Sequence, residues 1–139
     1  MPSPAPAQAP SHLLTLRVVE GVYSFCRLDG AAPLPPWAHD ATLSIVLRSK
    51  TELSIVCPAR NVPPAVRAEG PWKALVIDAV LDFNQVGIIA SLAGPLAAAG
   101  ISIAPVASFD TDYVFVREGD LSRVIGVLEA AGHRVATQG

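Results

Sequence analysis

Apolar and polar positions in the second half of the chain follow first the period of a strand and then that of a helix. The run at 73–81, KALVIDAVL, is almost continuously apolar and predicts a buried strand. The next segment places four apolar side chains on one helical face: Ile89, Leu92, Ala93 and Leu96. Gly100 stands where a left-handed residue ends a helix. Pro95 predicts a kink, because its missing N–H would have bonded the Ser91 carbonyl.

The same half continues with a hairpin, a second helix and a last strand. The runs ISIAPVA and YVFVR, joined by SFDTD, predict a hairpin over 101–117. Asp120 is predicted to cap a helix that ends at Gly132, before the strand HRVAT. Its apolar face is Leu121, Val124, Ile125 and Leu128. The order β-α-β-β-α-β predicts an α+β, ferredoxin-like fold with two helices on one face of a four-stranded antiparallel sheet.

The first half shows strand patterns but no helical one. LTLRVV and VYSFCRL predict strands at 14–19 and 22–28, and LPPWAH predicts at most a helical turn. TLSIVLRS and ELSIVCP predict a hairpin over 42–58. Its first strand is expected to be half-buried, because alternate positions are apolar: Leu43, Ile45 and Leu47.

A weak internal similarity links the two halves. TELSIVCP begins at Thr51 and TDYVFVRE at Thr111, sixty residues apart, which is the length of one small βαββαβ unit. The spacing predicts a degenerate first copy in which RNVPPAV, with its two prolines, replaces the second helix. The expected division is a disordered Pro/Ala-rich tail at 1–12, a degenerate unit at 13–69 and a complete unit at 72–137, with AEGPW as the linker.

Composition narrows the classes of partner. Apolar residues make up 51% of the chain and charged residues 16%, so a weakly polar surface favours self-association. The net charge of −2, without basic runs, argues against nucleic acid and anionic lipid as partners. No apolar run is long enough to span a bilayer, and the first ten residues lack the pattern of a signal peptide. A cytoplasmic protein is expected.

Cysteine and histidine give no sign of a metal or cofactor. Cys26 and Cys57 lie inside strand-like runs and are expected to be buried, reduced thiols. No pair drawn from these two and the three histidines, His12, His39 and His133, has the spacing of metal ligands. We therefore expect neither a metal site nor a cofactor.

Three segments carry a resemblance to a known family. LSIVCP, LDFNQVGIIASLAGPLAAAGISI and SFDTDYVFVREGDLSRVIGVLEAAGH resemble small bacterial tandem ACT-domain proteins. That branch of the ACT superfamily is related to aspartokinase regulatory domains and to the cytosolic arginine sensors of animals. The resemblance covers Tyr23 to His133 and is densest over 81–120, where Asp82, Gly87, the kinked helix, GISI and DTD occur in one order.

The resemblance implies an allosteric regulatory fold and not an enzyme. Each chain would contain two tandem ACT units, would form a homodimer with sheets side by side, and would hold an amino acid at the interface between units. The family's ligand region matches the loop that opens the first helix, Phe83 to Ile89, and parts of the following hairpin, Ser102 to Ile103 and Ser108 to Asp112, and no ligand is placed on the first half. The implied ligand-binding residues are Asp82, Phe83, Gly87, Ile88, Ser102, Ile103, Asp110, Thr111 and Asp112.

These residue types suit an amino acid. A helix starting near Gln85 leaves N–H groups unpaired and carries partial positive charge, which favours a carboxylate. Gly87, without Cβ, permits close approach of the backbone. Asp110 and Asp112 would present carboxylates to an α-ammonium or to a basic side chain, so basic amino acids are the first candidates.

Structural alternatives stand beside each assignment. Asp and Thr are favoured in any tight hairpin, so Asp110 and Asp112 are also explained by turn chemistry alone. Asp82 suits a helix cap, Gly87 suits helix–strand packing, and Ser102 suits a neutral strand position. At the level of function, the alternative to an amino-acid sensor is a ligand-free ACT dimerisation module. An enzyme is disfavoured, because no nucleophile stands beside a base in a known motif.

Overall fold

The computed structural model describes residues 12–137. In that range the chain forms eight strands and two helices, with short 3-10 turns at 36–38, 59–61 and 118–120. The strands are β1 Thr15–Val18, β2 Tyr23–Leu28, β3 Ile45–Arg48, β4 Leu53–Pro58, β5 Arg67–Ile77, β6 Ile103–Ala107, β7 Asp112–Arg117 and β8 Arg134–Ala136. The helices are α1 Ile88–Ala98 and α2 Leu121–Ala130. The predicted order β-α-β-β-α-β is present from β5 to β8, while the tail predicted at 1–12 lies almost wholly outside the described residues.

The sheet of the second half differs from the predicted four-stranded one. β7 pairs with one edge of β5, and β6 pairs with β7, both antiparallel. On the other edge β1 is inserted next to β5, with Leu16 opposite Ile77, and β8 pairs in parallel with β1. Since β1 runs antiparallel to β5, the parallel partner β8 keeps the direction expected of the last ferredoxin-like strand. The prediction failed because strand order is set by distant contacts.

The segment predicted as a linker, AEGPW, lies inside β5. Its backbone pairs with β2, where Cys26 is opposite Ala68, and β2 pairs in turn with β4 and then β3. A register shift between Tyr23 and Phe25 interrupts the β2–β5 ladder. At Gly70 a Cβ would lie 2.9 Å from the Tyr23 carbonyl oxygen, so a close approach of two backbones explains this glycine. The linker prediction was wrong because Gly and Pro, which are typical of turns, here lie inside a strand.

Side chains on the two faces of the sheet form separate clusters. The cluster beneath the helices contains Leu16, Leu75, Ile77, Ile88, Leu92, Leu96, Ile101, Val114, Val116, Val124 and Leu128. The cluster on the opposite face contains Val19, Tyr23, Val56, Trp72, Ala74, Val76 and Phe115. A third, in the first half, contains Cys26, Ala38, Leu53, Ile55 and Cys57. Both cysteines are free and buried, as predicted.

Two glycines in the left-handed region flank helix α1, Gly87 at its N-cap with φ 86° and Gly100 just past its end with φ 74°. Pro95 lies inside it, as predicted, and the Ser91 carbonyl that proline leaves without its helical partner accepts a bond from His133 Nε2 at 2.9 Å. The Nδ1 atom of the same ring accepts the Leu14 N–H at 3.1 Å. His133, which directly precedes β8, is therefore hydrogen-bonded both to α1 and to the residue before β1.

One local prediction was wrong and a second holds only in part. Asp120 stands at the start of α2, but its side chain makes no capping bond there, because a 3-10 turn already leads into the helix. The predicted inward face of the β3 segment is buried only in part: Leu43 and Ile45 pack against the cluster that contains Tyr23 and Trp72, but Leu47 does not. The Leu47 side chain is 57% exposed, since β3 is an outer strand that pairs with β4 alone among the described strands.

None of the helices formed by residues 12–137 combines the length and the apolar character needed to cross a membrane.

Candidate ligand site

The loop before α1 and the tip of the β6–β7 hairpin enclose a cavity of about 120 Å³, here called the acidic cavity. Its lining residues are Leu81, Asp82, Phe83, Gln85, Ile88, Ala107, Ser108, Phe109, Asp110, Thr111 and Asp112. Six of the nine predicted ligand-binding residues are therefore brought together: Asp82, Phe83, Ile88, Asp110, Thr111 and Asp112. Segments far apart in sequence meet here because Leu81 N–H donates to the Asp110 carbonyl at 2.6 Å.

Asp82 shapes the loop and does not cap the helix. Its Oδ1 atom accepts the Asn84 N–H at 2.8 Å, and Gln85 Oε1 accepts the Asp82 N–H at 2.8 Å. These bonds form an Asx turn closed by a glutamine side chain. The residue at the N-cap position of α1 is Gly87, which has no side chain to offer. The helix start is consequently left open to a ligand group.

The hairpin turn is closed by Ser108 and Thr111, not by the aspartates. Ser108 donates from both its N–H and its hydroxyl to the Thr111 carbonyl, each at 2.8 Å. The Thr111 hydroxyl donates to the Ile77 carbonyl at 2.8 Å, which fixes the tip against β5. Within residues 12–137 neither the Asp110 nor the Asp112 carboxylate takes part in a hydrogen bond or an ion pair. Turn chemistry thus does not account for these two carboxylates.

The electrostatic character of the acidic cavity is one-sided. Asp82, Asp110 and Asp112 contribute three carboxylates to its wall, and none of its lining residues is Lys or Arg. Ile88, the first residue of α1, lines the same cavity, so the positive end of the helix dipole is close by. The arrangement offers both polarities that a zwitterion needs.

Two exposed aromatic rings stand at the mouth of the acidic cavity. Phe83 and Phe109 contact edge to face, with ring centroids 5.3 Å apart, and are 72% and 82% exposed. Val80 and Val86, in the same loop region, are also largely exposed. Phe109 lies inside the predicted ligand region Ser108 to Asp112 but was not among the nine predicted residues, although an aromatic residue inside the polar turn SFDTD was a usable signal. Such a patch of exposed apolar side chains is typical of a contact surface.

Three predicted residues are not brought into the cavity. Gly87 does not line it, although it sets the direction of the helix start. Ser102 and Ile103 lie at the far end of the hairpin, because Ile103 is opposite Val116 whereas Asp112 is opposite Ala107. Ile103 and Ala107 are four residue steps apart along β6, which corresponds to about 13 Å. Within a single chain Ser102 and Ile103 therefore cannot share a small ligand with Asp112.

Comparisons with known proteins agree with this architecture. The ACT domain profile matches residues 67–130, and a second profile, described only as an N-terminal domain, matches residues 21–65. The crystal structure of protein Atu0741 from Agobacterium tumefaciens superposes with a TM-score of 0.88 at 31% identity, covering 93% of this chain and 96% of that one. Protein VC0802 from Vibrio cholerae shares the fold, with a TM-score of 0.69 at 19% identity over 85% and 89% of the two chains.

The fold and the matching profile define an ACT domain at residues 67–130. The chain belongs to the same family as protein Atu0741. A curated relative, the rat cytosolic arginine sensor for mTORC1 subunit 1, is 36% identical over 58 residues, 42% of this chain and 18% of the sensor. The human protein of that name is 45% identical over 49 residues, 35% of this chain and 15% of the sensor. The matched segments thus span less than a fifth of the curated relatives.

Proposed function

We propose that this chain is a regulatory protein, without catalytic activity, that binds an amino acid with a cationic side chain in the acidic cavity. The observation that carries the proposal is the pair of carboxylates of Asp110 and Asp112. Both line the cavity, and neither is used for bonding within the described part of the chain. Unpaired carboxylates gathered without a basic neighbour favour a cationic guest.

The polarity of the cavity orients the ligand. The cationic groups would contact Asp110 and Asp112, while the α-carboxylate would accept N–H groups at the start of α1. Each charge-assisted bond contributes on the order of 1.5–3 kcal/mol. Two or three such bonds give a micromolar to millimolar dissociation constant after the entropy of binding is subtracted. That range suits a sensor of a metabolite.

The size of the cavity requires a second wall. At about 120 Å³ it is smaller than the roughly 300–1,000 Å³ of ordinary ligand pockets. We propose that a second copy of the chain supplies the wall through β6, which pairs with β7 alone among the described strands. A two-fold antiparallel pairing centred near Pro105 would place Ser102 and Ile103 of the partner subunit beside Ala107. Pro105 has no N–H, so bonds near the strand ends would hold the pair.

The relatives support the same proposal. The cytosolic arginine sensors match a third or more of this chain, and their name states a regulatory role, an amino-acid ligand and a cytosolic location. We extend these three properties to this chain. We also propose that 13–69 is a degenerate ACT-like unit beside the ACT domain, consistent with its β2–β4–β3 sheet and its lack of α-helix within the described residues.

A thermal melting screen of the twenty amino acids tests the proposal. A saturating ligand at about 100 times its dissociation constant stabilises the fold by about 2.7 kcal/mol, a melting shift on the order of ten degrees. We expect this shift with basic amino acids on the wild-type protein, and a loss of most of it in Asp112→Asn. Asp29→Asn removes an equal charge from an exposed position outside the cavity and should leave the shift unchanged.

Two results would count against the assignment. Equal shifts in the wild type and Asp112→Asn would place the ligand elsewhere. No shift with any amino acid would favour the ligand-free dimerisation module, for which the exposed pair Phe83 and Phe109 is the supporting observation.

A further inference from the structure

A second and larger cavity lies on another part of the chain. Its volume is about 640 Å³, within the range of roughly 300–1,000 Å³ that is common for sites of small organic ligands. Its polar wall consists of Arg17, Glu20, Thr42, Lys73, Tyr113 and Thr137. None of these residues lines the acidic cavity. We call this space the basic cavity, because two cations and one acid line it.

The sheet places Arg17 and Tyr113 of the basic cavity on one face. Arg17 of β1 is directly opposite Val76 of β5, and Val76 is directly opposite Tyr113 of β7. Side chains directly opposite each other share a face of the sheet, so Arg17 and Tyr113 flank Val76. They stand two strand spacings apart, about 10 Å. That span suits a small molecule held at both ends.

Hydrogen-bond donors are in excess in this cavity. Lys73 Nζ donates to the Gly21 carbonyl at 2.6 Å, which occupies one of its three N–H bonds and holds the ammonium at the wall. Among residues 12–137 the Arg17 guanidinium has no hydrogen-bond or ion-pair partner, and neither hydroxyl group, that of Thr42 or that of Tyr113, is bonded. Glu20 is the single acid against two cations. The cavity is therefore the electrostatic opposite of the acidic one.

We propose that the basic cavity binds a small organic anion through an oxyanion group, a carboxylate or a phosphate, held by Arg17. The planar guanidinium fits either group with two parallel N–H bonds. The hydroxyl of Tyr113 is available to bond the other end of the molecule, and the ammonium of Lys73, held at the Gly21 carbonyl, adds positive charge to the wall. Adjacent residues of β7 serve the two cavities, Asp112 the acidic one and Tyr113 the basic one, so one strand separates ligands of opposite charge.

An NMR titration of the full chain tests this inference, with sodium succinate and inorganic phosphate as the probes and sodium chloride at equal ionic strength as the reference. We expect saturable amide shifts at residues 17–21, 73 and 113 with at least one probe. Whichever probe saturates identifies the source of the oxyanion group. In Arg17→Gln the dissociation constant should rise about tenfold or more, the loss of one charge-assisted pair.

Matched variants keep the test specific. Arg134→Gln removes an exposed arginine outside the cavity and should leave the dissociation constant unchanged. Tyr113→Phe, which deletes one hydroxyl group, should raise it severalfold and reports on the site independently of Arg17. Asp29→Asn, at an exposed position outside both cavities, should also leave the dissociation constant unchanged. Absence of saturable shifts for both probes, or equal affinity in Arg17→Gln and wild type, would overturn the proposal.

Discussion

At the scale of single residues, the polar side chains of the hairpin tip, Ser108 to Asp112, have different roles. Ser108 and Thr111 make the bonds of the turn, which leaves the carboxylates of Asp110 and Asp112 unused within the described chain. The sequence alone could not separate these roles, because Ser, Thr and Asp are all favoured in turns for the same reason. The difference depends on which side chain points back to the backbone, and that is decided by the strand register.

His133 gives the first residue-scale prediction. It is 5% exposed and bridges the Leu14 N–H and the Ser91 carbonyl. Because the Leu14 N–H can only donate, Nδ1 accepts and the proton is on Nε2. His133→Ala leaves both backbone groups unsatisfied and should lower the free energy of unfolding by on the order of 3 kcal/mol. Urea denaturation measures this, with the exposed His39→Ala as control. Equal stability of the two variants would refute the bridge.

The buried thiols give a pH prediction. Burial, followed by the neighbouring Cys26, raises the pKa of Cys57 to about 11 from an ordinary value of 9.0, and burial also raises the pKa of Cys26. The folded state then holds a proton that the unfolded chain releases, so the free energy of unfolding should fall between about pH 9 and pH 11. Urea denaturation across this window should show a flatter fall for Cys57→Ala. An unchanged slope would mean that Cys57 does not contribute.

At the scale of elements, apolar periodicity identified both helices and all eight strands, β5 only from Lys73 onward, because each has a face that is at least partly buried. It could not reveal that β1 enters the sheet between β5 and β8, since strand order leaves no local trace. The first residues of β5 are exposed and include Gly70 and Pro71, so their composition indicated a linker. Apolar periodicity detects segments with buried side chains. It does not detect a strand whose side chains are exposed and whose backbone alone is paired, as in the first part of β5.

The glycines of α1 give an element-scale prediction. Gly94 lies inside the helix, and a Cβ added there would have no neighbouring atom within 4 Å, so Gly94→Ala should stabilise the protein by about 0.5–1 kcal/mol. Gly87 has φ 86°, a conformation that costs an L-residue about 1–2 kcal/mol. Gly87→Ala should accordingly destabilise it by about that amount. Opposite shifts of the urea midpoint support this account of the helix start, whereas shifts of the same sign would contradict it.

At the scale of the whole molecule, our proposals rest on the two cavities and on the edge of β6 that no other strand of residues 12–137 covers. The acidic cavity is small and open, the basic cavity is larger, and Ser102 lies at the far end of β6 from Asp112. A two-fold dimer would turn one incomplete wall into two equivalent composite sites. Sequence resemblance pointed to the residues of such a site, and the register of β6 and β7, which separates Ser102 from Asp112 along the hairpin, is the reason why we propose that they meet on one ligand between two chains.

Subunit complementation tests this central claim most directly. Asp112→Asn removes the carboxylate side of each site, and Ser102→Trp blocks the side given by the partner subunit. Calorimetric titration with the basic amino acid that gives the largest melting shift should detect no sites in either variant alone. After the variants are mixed through denaturation and refolding, half of the dimers are mixed, and each has one intact site, so about a quarter of the wild-type sites should return. Recovery of no sites by the mixture, or full binding by either variant alone, would contradict a ligand site shared between two chains.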